Sequence, residues 1–188
     1  VENFRSEVKH RLGIDYESVK SVNPSIIYGS ISGFGQGGPY SDRPGVDQVV
    51  QGTSGLMSIT GEPGNGPMRV GIAISDTSAG MFLGQGILLA LIHREQTGEG
   101  QWVHTSLLES MLSKIDFQGA RYTMNGEVAT QEGNNHPTNA PMGLFDTSDG
   151  QVNLAASSQK MFKSFCEAMN APSLFNDNRF SSFEKRFS

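Results

Sequence analysis

One carboxylate, Asp76, stands at the junction between an apolar run and a helix. The alternating residues 70–74 predict a buried strand or an extended segment. The Asp-Thr-Ser triplet at 76–78 is typical of a helix start. A carboxylate there accepts hydrogen bonds from unpaired backbone N–H groups and faces the positive end of the helix dipole, so we expect a lowered pKa. Such a carboxylate is suited to nucleophilic catalysis, although an Asp at a helix start is more commonly only a cap.

Arg5, Lys9 and Arg11 form the basic cluster that precedes this motif. Arg5 and Arg11 lie within two helical turns of each other, so both could bind one anion. Arginine suits phosphate better than lysine does, because its planar guanidinium binds two oxygens at once. A solvated helix face is the alternative, since acidic residues offset the local charge: Glu2, Glu7 and Asp15.

A glycine-rich stretch, residues 33–38, satisfies the pattern G-x-G-x-x-G after a predicted strand. A dinucleotide site with this pattern needs a helix that begins directly after the glycines. Pro39 follows instead, which favours a flexible turn over a nicotinamide or flavin site.

The remaining histidines and the cysteine show no metal-binding spacing. His136 lies in a loop rich in Asn, Gly, Thr and Pro, where an active-site role and a plain loop histidine are both open. His10, His93 and His104 are predicted to be structural. The single cysteine, Cys166, excludes an internal disulfide and falls on an apolar helical pattern, so we expect a buried thiol and no metal centre.

The chain of 188 residues has a net charge of −5, so it has no overall basic field for nucleic acid or an anionic membrane. Its longest apolar run, residues 86–92, is too short to cross a bilayer, and no signal peptide is recognised. We therefore expect a cytoplasmic protein that binds neither nucleic acid nor membrane. A polyanionic ligand would have to be bound by a few well-placed arginines.

The elements that must position Asp76 alternate between strands and helices, which predicts an α/β fold. Strands are predicted at 26–31 and 102–105, and the strongest helix runs over 76–94 between them. Further helices are predicted in these ranges: two short ones within 5–20, then 47–59, 106–124 and 158–169. Residues 126–141 are predicted to be a loop, and 143–147 and 151–156 a hairpin.

Several separated motifs occur together in one order. They are E-N-F-R at 2–5, the run at 23–40, R-V-G-I-A-I-S-D at 69–76, G-Q-W-V at 100–103 and G-N-N-H-P-T-N-A-P at 133–141. On these motifs the chain resembles the family III CoA-transferases, which include formyl-CoA and carnitine CoA-transferases and, as a side branch, the α-methylacyl-CoA racemases. The resemblance implies that Asp76 is the catalytic residue, that acyl-CoA is a substrate and that no cofactor is tightly bound.

The same resemblance implies roles for other residues. The CoA-binding positions fall on Asn3, Phe4, Arg5, Arg11, Val46 and Asp47. Asn3, Phe4, Arg5 and Arg11 match the positions that contact the adenine nucleotide part of CoA. The substrate or lid positions, near the active site or on a loop that covers it, fall on Gly35, His136 and Asn139.

The fold that the resemblance implies has two domains, both partial in this chain. Residues 1–106 would belong to a Rossmann-like large domain that binds CoA, 107–131 to a linker helix and loop, and 132–188 to a small α+β domain. We therefore expect an internal segment of a longer protein. Family members form interlocked homodimers in which the linkers thread through the partner, and we expect the same here.

The activity that the resemblance implies is transfer of CoA from an acyl-CoA to a carboxylic acid, through an anhydride and a CoA thioester on Asp76. A 2-methylacyl-CoA racemase and a non-catalytic CoA-binding homologue are the alternatives. Racemases carry a histidine at the position of Val46, where it exchanges the α-proton together with the aspartate. Valine cannot transfer a proton, so Val46 favours the transferase.

Overall fold

Residues 1–187 are described by a computed structural model, which shows a mixed α/β protein. The chain forms two compact units. The first comprises Val1–Thr60 with Gly66–Thr130, and the second comprises Gly61–Asn65 with the chain from Gln131 onward. The α/β class predicted from the sequence is confirmed.

Helices and strands alternate along the first unit. In chain order they are α1 (Ser6–Leu12), α2 (Tyr16–Val22), β1 (Tyr28–Ser32), α3 (Asp47–Thr53), α4 (Leu56–Ile59), α5 (Ile74–Thr97), β2 (Trp102–Ser106), α6 (Leu107–Lys114) and α7 (Phe117–Asn125). Gly13 ends α1 in the left-handed conformation, and the Asp15 carboxylate caps α2 by accepting a hydrogen bond from the Ser18 N–H.

β1 and β2 lie side by side in parallel, with Tyr28 opposite Trp102 and Ser32 opposite Ser106. A parallel pair needs a long crossover connection, and α5 forms the main part of it and packs against both strands. The Trp102 Nε1 donates a 2.8 Å hydrogen bond to the Ser30 hydroxyl and so joins the two strands through their side chains. Both strands predicted from the sequence are confirmed, with small shifts at their ends.

The core of the first unit lies between α3, α5 and α6. Its fully or nearly buried members are Val50, Leu56, Ala79, Leu107 and Met111. These apolar side chains leave water together when the three helices pack, which is the main favourable term in folding. Ala79, near the beginning of α5, is one of these buried residues.

α5 is long and apolar enough to cross a membrane when it is judged by length and composition alone. Core helices of globular proteins pass the same test, and α5 packs on β1, β2, α3 and α6. Its outer face carries exposed apolar side chains, namely Met81, Leu88, Leu89 and Ile92.

Three predicted elements differ from the structure. Residues 70–73 form no strand, because the backbone N–H of Val70 and the carbonyl of Ile72 bond to the Gln51 side chain rather than to a neighbouring strand. The predicted helix 47–59 is interrupted at Gly55, which has a φ of 88°. The predicted helix 106–124 is two helices, because Asp116 has a φ of 53° and a ψ of −132°, outside the helical region.

The linker predicted over 107–131 is consequently not one helix. α6 ends at Lys114, α7 ends at Asn125 before Gly126, and residues 126–131 are irregular. All of these residues except Gln131 belong to the first compact unit.

The second unit begins with an antiparallel hairpin and continues with short helices. Its elements are β3 (Met142–Thr147), β4 (Gly150–Ala155), α8 (Gln159–Ala168) and α9 (Phe183–Phe187), with 3₁₀ turns at Pro172–Asn176 and Asn178–Phe180. β3, β4 and α8 confirm the predicted hairpin and the predicted helix. Phe162 and Cys166 of α8 are buried, which confirms the predicted buried thiol.

Candidate active site

Asp76 lies in the first turn of α5, and its carboxylate accepts no hydrogen bond from any residue in the range 1–187. The helix begins two residues earlier than predicted, at Ile74, and Ala73 occupies the cap position without a side-chain bond. Partial desolvation, and secondarily the negative charge of Asp47, raise the pKa of Asp76 above its usual value. The predicted lowering is wrong, because Asp76 does not act as the helix cap.

Asp47 supplies the cap from another part of the chain. Its Oδ1 accepts hydrogen bonds from the Ser75 backbone N–H at 2.9 Å and from the Ser75 hydroxyl at 2.8 Å. Its Oδ2 accepts one from Gln51 Nε2 at 2.7 Å and a longer one from Arg69 at 3.4 Å. An otherwise unpaired N–H of the first turn of α5 is thereby satisfied.

Burial alone would raise the pKa of Asp47, which is only 9% exposed. The hydrogen bonds from Ser75, Gln51 and Arg69 outweigh burial and hold its pKa below the usual value. Both of its carboxylate oxygens are bonded within the protein. The structure thus gives the Asp47 carboxylate a supporting position behind Asp76, and its contact with CoA stays a prediction.

A cavity of about 410 Å³ opens at Asp76, and we call it the Asp76 cavity. Its lining residues are Asn3, Ile31, Ser32, Gly33, Gly45, Val46, Asp76 and Leu107. Val46 and Leu107 give it an apolar wall, and Asn3 and Ser32 give it polar groups. Val46 and Asp76, which the sequence placed in one active site, therefore do line the same space.

A smaller cavity of about 190 Å³ adjoins it and shares Asn3, Ser32, Gly33 and Gly45 with it. We call it the arginine cavity, because it is lined by both Arg5 and Arg43. The other lining residues are Phe4, Gly35, Gln36, Ser41 and Pro44. The predicted residues Asn3, Phe4, Arg5 and Gly35 are thus brought together, while Arg11 is exposed on α1 and lines neither cavity.

The wall between the two cavities is a close backbone contact between Gly33 and Gly45. A Cβ atom added to either glycine would lie against the Cα of the other, well inside van der Waals contact. The chain between them forms a loop, and we call residues 33–45 the closed loop. No helix occurs in residues 33–46, so the G-x-G-x-x-G pattern lacks the helix that a dinucleotide site needs.

Lys9 belongs to the interior rather than to an anion-binding cluster. It is 2% exposed, it bonds to Glu2 and to Gln36 Oε1, and its ammonium group lies 5.0 Å from the centre of the Trp102 ring. It therefore ties the closed loop to the N-terminal segment. Sequence reasoning missed this role, because the partners of Lys9 are distant along the chain.

His136 and Asn139 both lie in the second unit and contact each other. The Asn139 Nδ2 is 3.0 Å from the His136 Nδ1, and the Thr138 backbone N–H donates to the same nitrogen at 3.2 Å. These contacts fold the 136–139 segment on itself. Among residues 1–187, no group of three or more His, Cys, Asp or Glu side chains could hold a metal ion.

Comparison with known proteins gives one family throughout. The model of CoA-transferase family III matches residues 1–188. The chain is 38% identical over 186 residues to the succinate–glutarate CoA-transferase of Agrobacterium fabrum, covering 99% of this chain and 46% of that protein. It is 38% identical over 180 residues to the acetyl-CoA:oxalate CoA-transferase of Acetobacter aceti, covering 95% of this chain and 46% of that one.

A solved structure agrees with these sequence relatives. The crystal structure of a CaiB/BaiF family protein from Brucella suis superposes with a TM-score of 0.82 at 36% sequence identity. The match covers 99% of this chain and 49% of that one. The chain thus spans about half the length of the relatives that it matches.

Proposed function

The chain belongs to CoA-transferase family III, and from this we propose that the intact protein moves CoA from an acyl-CoA to a carboxylic acid, with Asp76 as the nucleophile. The observation that carries the proposal is the position of Asp76. Its carboxylate is unbonded within the described chain, it opens into a cavity, and the turn that holds it is fixed by Asp47.

The proposed reaction exchanges one thioester for another through the Asp76 carboxylate. A carboxylate oxygen attacks the thioester carbonyl of the donor, CoA leaves as a thiolate, and a mixed anhydride forms. The thiolate attacks the aspartyl carbonyl, which gives an aspartyl-CoA thioester and releases the donor acid. The acceptor carboxylate attacks that thioester, CoA leaves again as a thiolate, and a second anhydride forms. The thiolate then attacks the acceptor carbonyl, which gives the new acyl-CoA and releases the Asp76 carboxylate.

The surroundings of Asp76 suit both halves of this sequence. Desolvation and the charge of Asp47 raise the pKa of Asp76, which makes its ionised carboxylate more basic and a stronger nucleophile. Ile31, Val46 and Leu107 give the cavity apolar lining, and the reaction requires that substrate binding keeps out water, which would hydrolyse the anhydride or the thioester.

The CoA-binding part of the proposal rests on the N-terminal segment. Asn3, Phe4 and Arg5 line the arginine cavity, where Arg5 has no carboxylate within ion-pair distance among residues 1–187. Arg5 could therefore donate to an anionic group of CoA. Arg11, exposed on α1, would contact a part of CoA outside both cavities, and Val46 would flank the reacting thioester.

We also propose a dicarboxylic acid as the substrate. Succinate, glutarate and oxalate are named for the two relatives that are 38% identical to this chain, and each has two carboxylates. The proposal extends to the overall architecture. The first unit would belong to a Rossmann-like CoA-binding domain, and the His136–Asn139 segment of a small domain would act as a lid. The intact protein would be an interlocked homodimer in the cytoplasm.

The test is CoA exchange by the intact protein. With succinyl-CoA as donor and glutarate as acceptor, we expect glutaryl-CoA to form, and Asp76→Ala to lower kcat by several orders of magnitude while CoA still binds. Hydroxylamine added during turnover should modify Asp76 in the wild type. Near-normal turnover by Asp76→Ala would refute the assignment of the nucleophile.

A further inference from the structure

Arg43 projects from the closed loop with its guanidinium held by an aromatic ring. Its Cζ lies 4.1 Å from the centre of the Tyr40 ring, and Tyr40 meets Phe34 edge-on at 5.8 Å. Stacking of this kind uses the flat face of a guanidinium and leaves its N–H edges available. No carboxylate in residues 1–187 lies within ion-pair distance of Arg43, although the cavity that it lines is accessible.

The closed loop holds Arg43 in a defined place. The Gly33–Gly45 contact pins both ends of the loop, and the Gly33 carbonyl accepts a hydrogen bond from the Leu108 N–H at 3.1 Å. Buried Lys9 anchors the loop a second time through Gln36. A cation held in this way loses little conformational entropy when an anion binds. Less of the interaction free energy is therefore offset, and the affinity for the anion is higher.

The arginine cavity is lined by two arginines, and none of its lining residues is an aspartate or a glutamate. Arg43 lines it together with Ser32 and with Asn3 and Arg5, the two residues that we assign to CoA. The cavity shares four residues with the Asp76 cavity, so the space that Arg43 lines adjoins the space that holds the reacting carboxylate. In a short diacid only a few bonds separate the two carboxylates, whereas the long pantetheine arm separates the phosphates of CoA from its sulfur.

We propose that Arg43 binds the second carboxylate of a dicarboxylic acid whose first carboxylate reacts at Asp76. This rests on the proposed function, because it presupposes that an acid reacts at Asp76. The guanidinium of Arg43 then selects an acid with a second negative charge. The separation between Arg43 and Asp76 selects the length of that acid. A monocarboxylic acid of equal carbon number leaves the guanidinium without an anion and binds less well.

The test compares succinate with butyrate, which has the same number of carbons and only one carboxylate, as acceptors for the intact protein. We expect Arg43→Gln to lower kcat/KM for succinate about tenfold to a hundredfold, the range for a lost charge-assisted hydrogen bond, and to leave butyrate nearly unchanged. Arg43→Lys keeps the charge without the planar fork and should recover part of the loss. Arg179→Gln, which removes a surface arginine of the second unit, is the control for net charge.

Two results would overturn the proposal: equal losses with both acids, which would assign Arg43 to CoA or to the fold, and no loss with succinate. Calorimetric binding of succinate and butyrate to Asp76→Ala, with and without Arg43→Gln, gives a readout that needs no turnover. A wild-type protein that exchanges no CoA would refute the proposed function. If that protein still binds succinate more tightly than butyrate, and Arg43→Gln removes the difference, the anion site at Arg43 is supported independently of the proposed function.

The aromatic support provides an independent check. Tyr40→Phe keeps the ring and should leave the preference for succinate unchanged. Tyr40→Ala removes the ring under the guanidinium and should raise the KM for succinate about twofold to fivefold, as expected for an exposed cation–π contact. An unchanged KM in Tyr40→Ala would show that the ring does not position Arg43.

Discussion

The carboxylate of Asp47 accepts hydrogen bonds from both the backbone N–H and the hydroxyl of Ser75. Ser75 precedes Asp76, so the residue that carries the proposed nucleophile is held through its neighbour. The same carboxylate, negatively charged, contributes to the raised pKa of Asp76. Asp47 therefore acts on Asp76 in two ways, one geometric and one electrostatic, and the two can be separated by substitution.

Asp47→Asn removes the negative charge and keeps a side-chain oxygen for Ser75. We expect the pKa of Asp76 to fall, because the repulsion from Asp47 disappears, but to stay above that of a free Asp, because desolvation is the larger cause. The measurement is the pH dependence of kcat/KM for CoA exchange, whose acidic limb should move to lower pH. Ser75→Ala, which removes one hydrogen bond and keeps the charge, is the matched control, and an unmoved limb in Asp47→Asn would contradict the electrostatic role.

Asp76 should cost the protein stability at neutral pH. Its folded-state pKa is raised, so the folded protein holds this proton more tightly than the unfolded chain does, and ionisation favours unfolding. Asp76→Asn should therefore increase the free energy of unfolding at pH 7. The gain should shrink as the pH falls below the folded-state pKa and vanish below the unfolded-state pKa of about 3.9. Denaturant titrations at several pH values measure it, and a pH-independent gain would point to packing instead.

Gly33→Ala should destabilise the first unit and disturb both cavities. The added Cβ would lie against the Cα of Gly45, and backbone atoms cannot move aside as a flexible side chain does. We expect a loss of about 1–3 kcal/mol in the free energy of unfolding, as for other overpacked sites. Gly37→Ala, in the same loop, is the control, because no other atom lies within 4 Å of the added Cβ. Equal stability of the two variants would mean that the Gly33–Gly45 contact does not close the loop.

Val46 should prevent racemisation of 2-methylacyl-CoA substrates. It lines the Asp76 cavity, where a racemase needs a second group that exchanges a proton, and a hydrocarbon side chain has none. We expect no rapid incorporation of deuterium at the α-carbon when a chiral 2-methylacyl-CoA is incubated with the intact protein in deuterated water. Fast incorporation would favour a racemase over a transferase.

The elements around Asp76 could be predicted because their signals are local. The helix that carries Asp76 and the two strands beside it follow from periodicity, and in the second unit the hairpin at residues 142–155 follows from its turn residues. The direction of the pKa shift at Asp76 could not be predicted in the same way. It depends mainly on the desolvation of Asp76 and secondarily on the charge of Asp47, which also caps the helix, and no pattern along the sequence relates these two residues.

The break between α6 and α7 was missed for a related reason. Residues 106–124 contain no proline, and the chain leaves the helical region at Asp116, a residue that is neither glycine nor proline and carries no break signal of that kind. The contact between Gly33 and Gly45 could not be predicted either. A glycine in a loop indicates a turn, but it does not indicate which distant backbone segment packs against it.

The parallel pairing of β1 with β2 also bears on how the chain reaches its fold. α3, α4 and α5 all lie between the two strands in sequence, so their pairing closes a long loop and is expected to be slow to form. Trp102, the only tryptophan of the chain, stacks on Tyr16 and bonds to Ser30 only when that pairing is complete. Its fluorescence is therefore a built-in reporter of the moment when residues 16–32 and β2, which are far apart along the chain, come together.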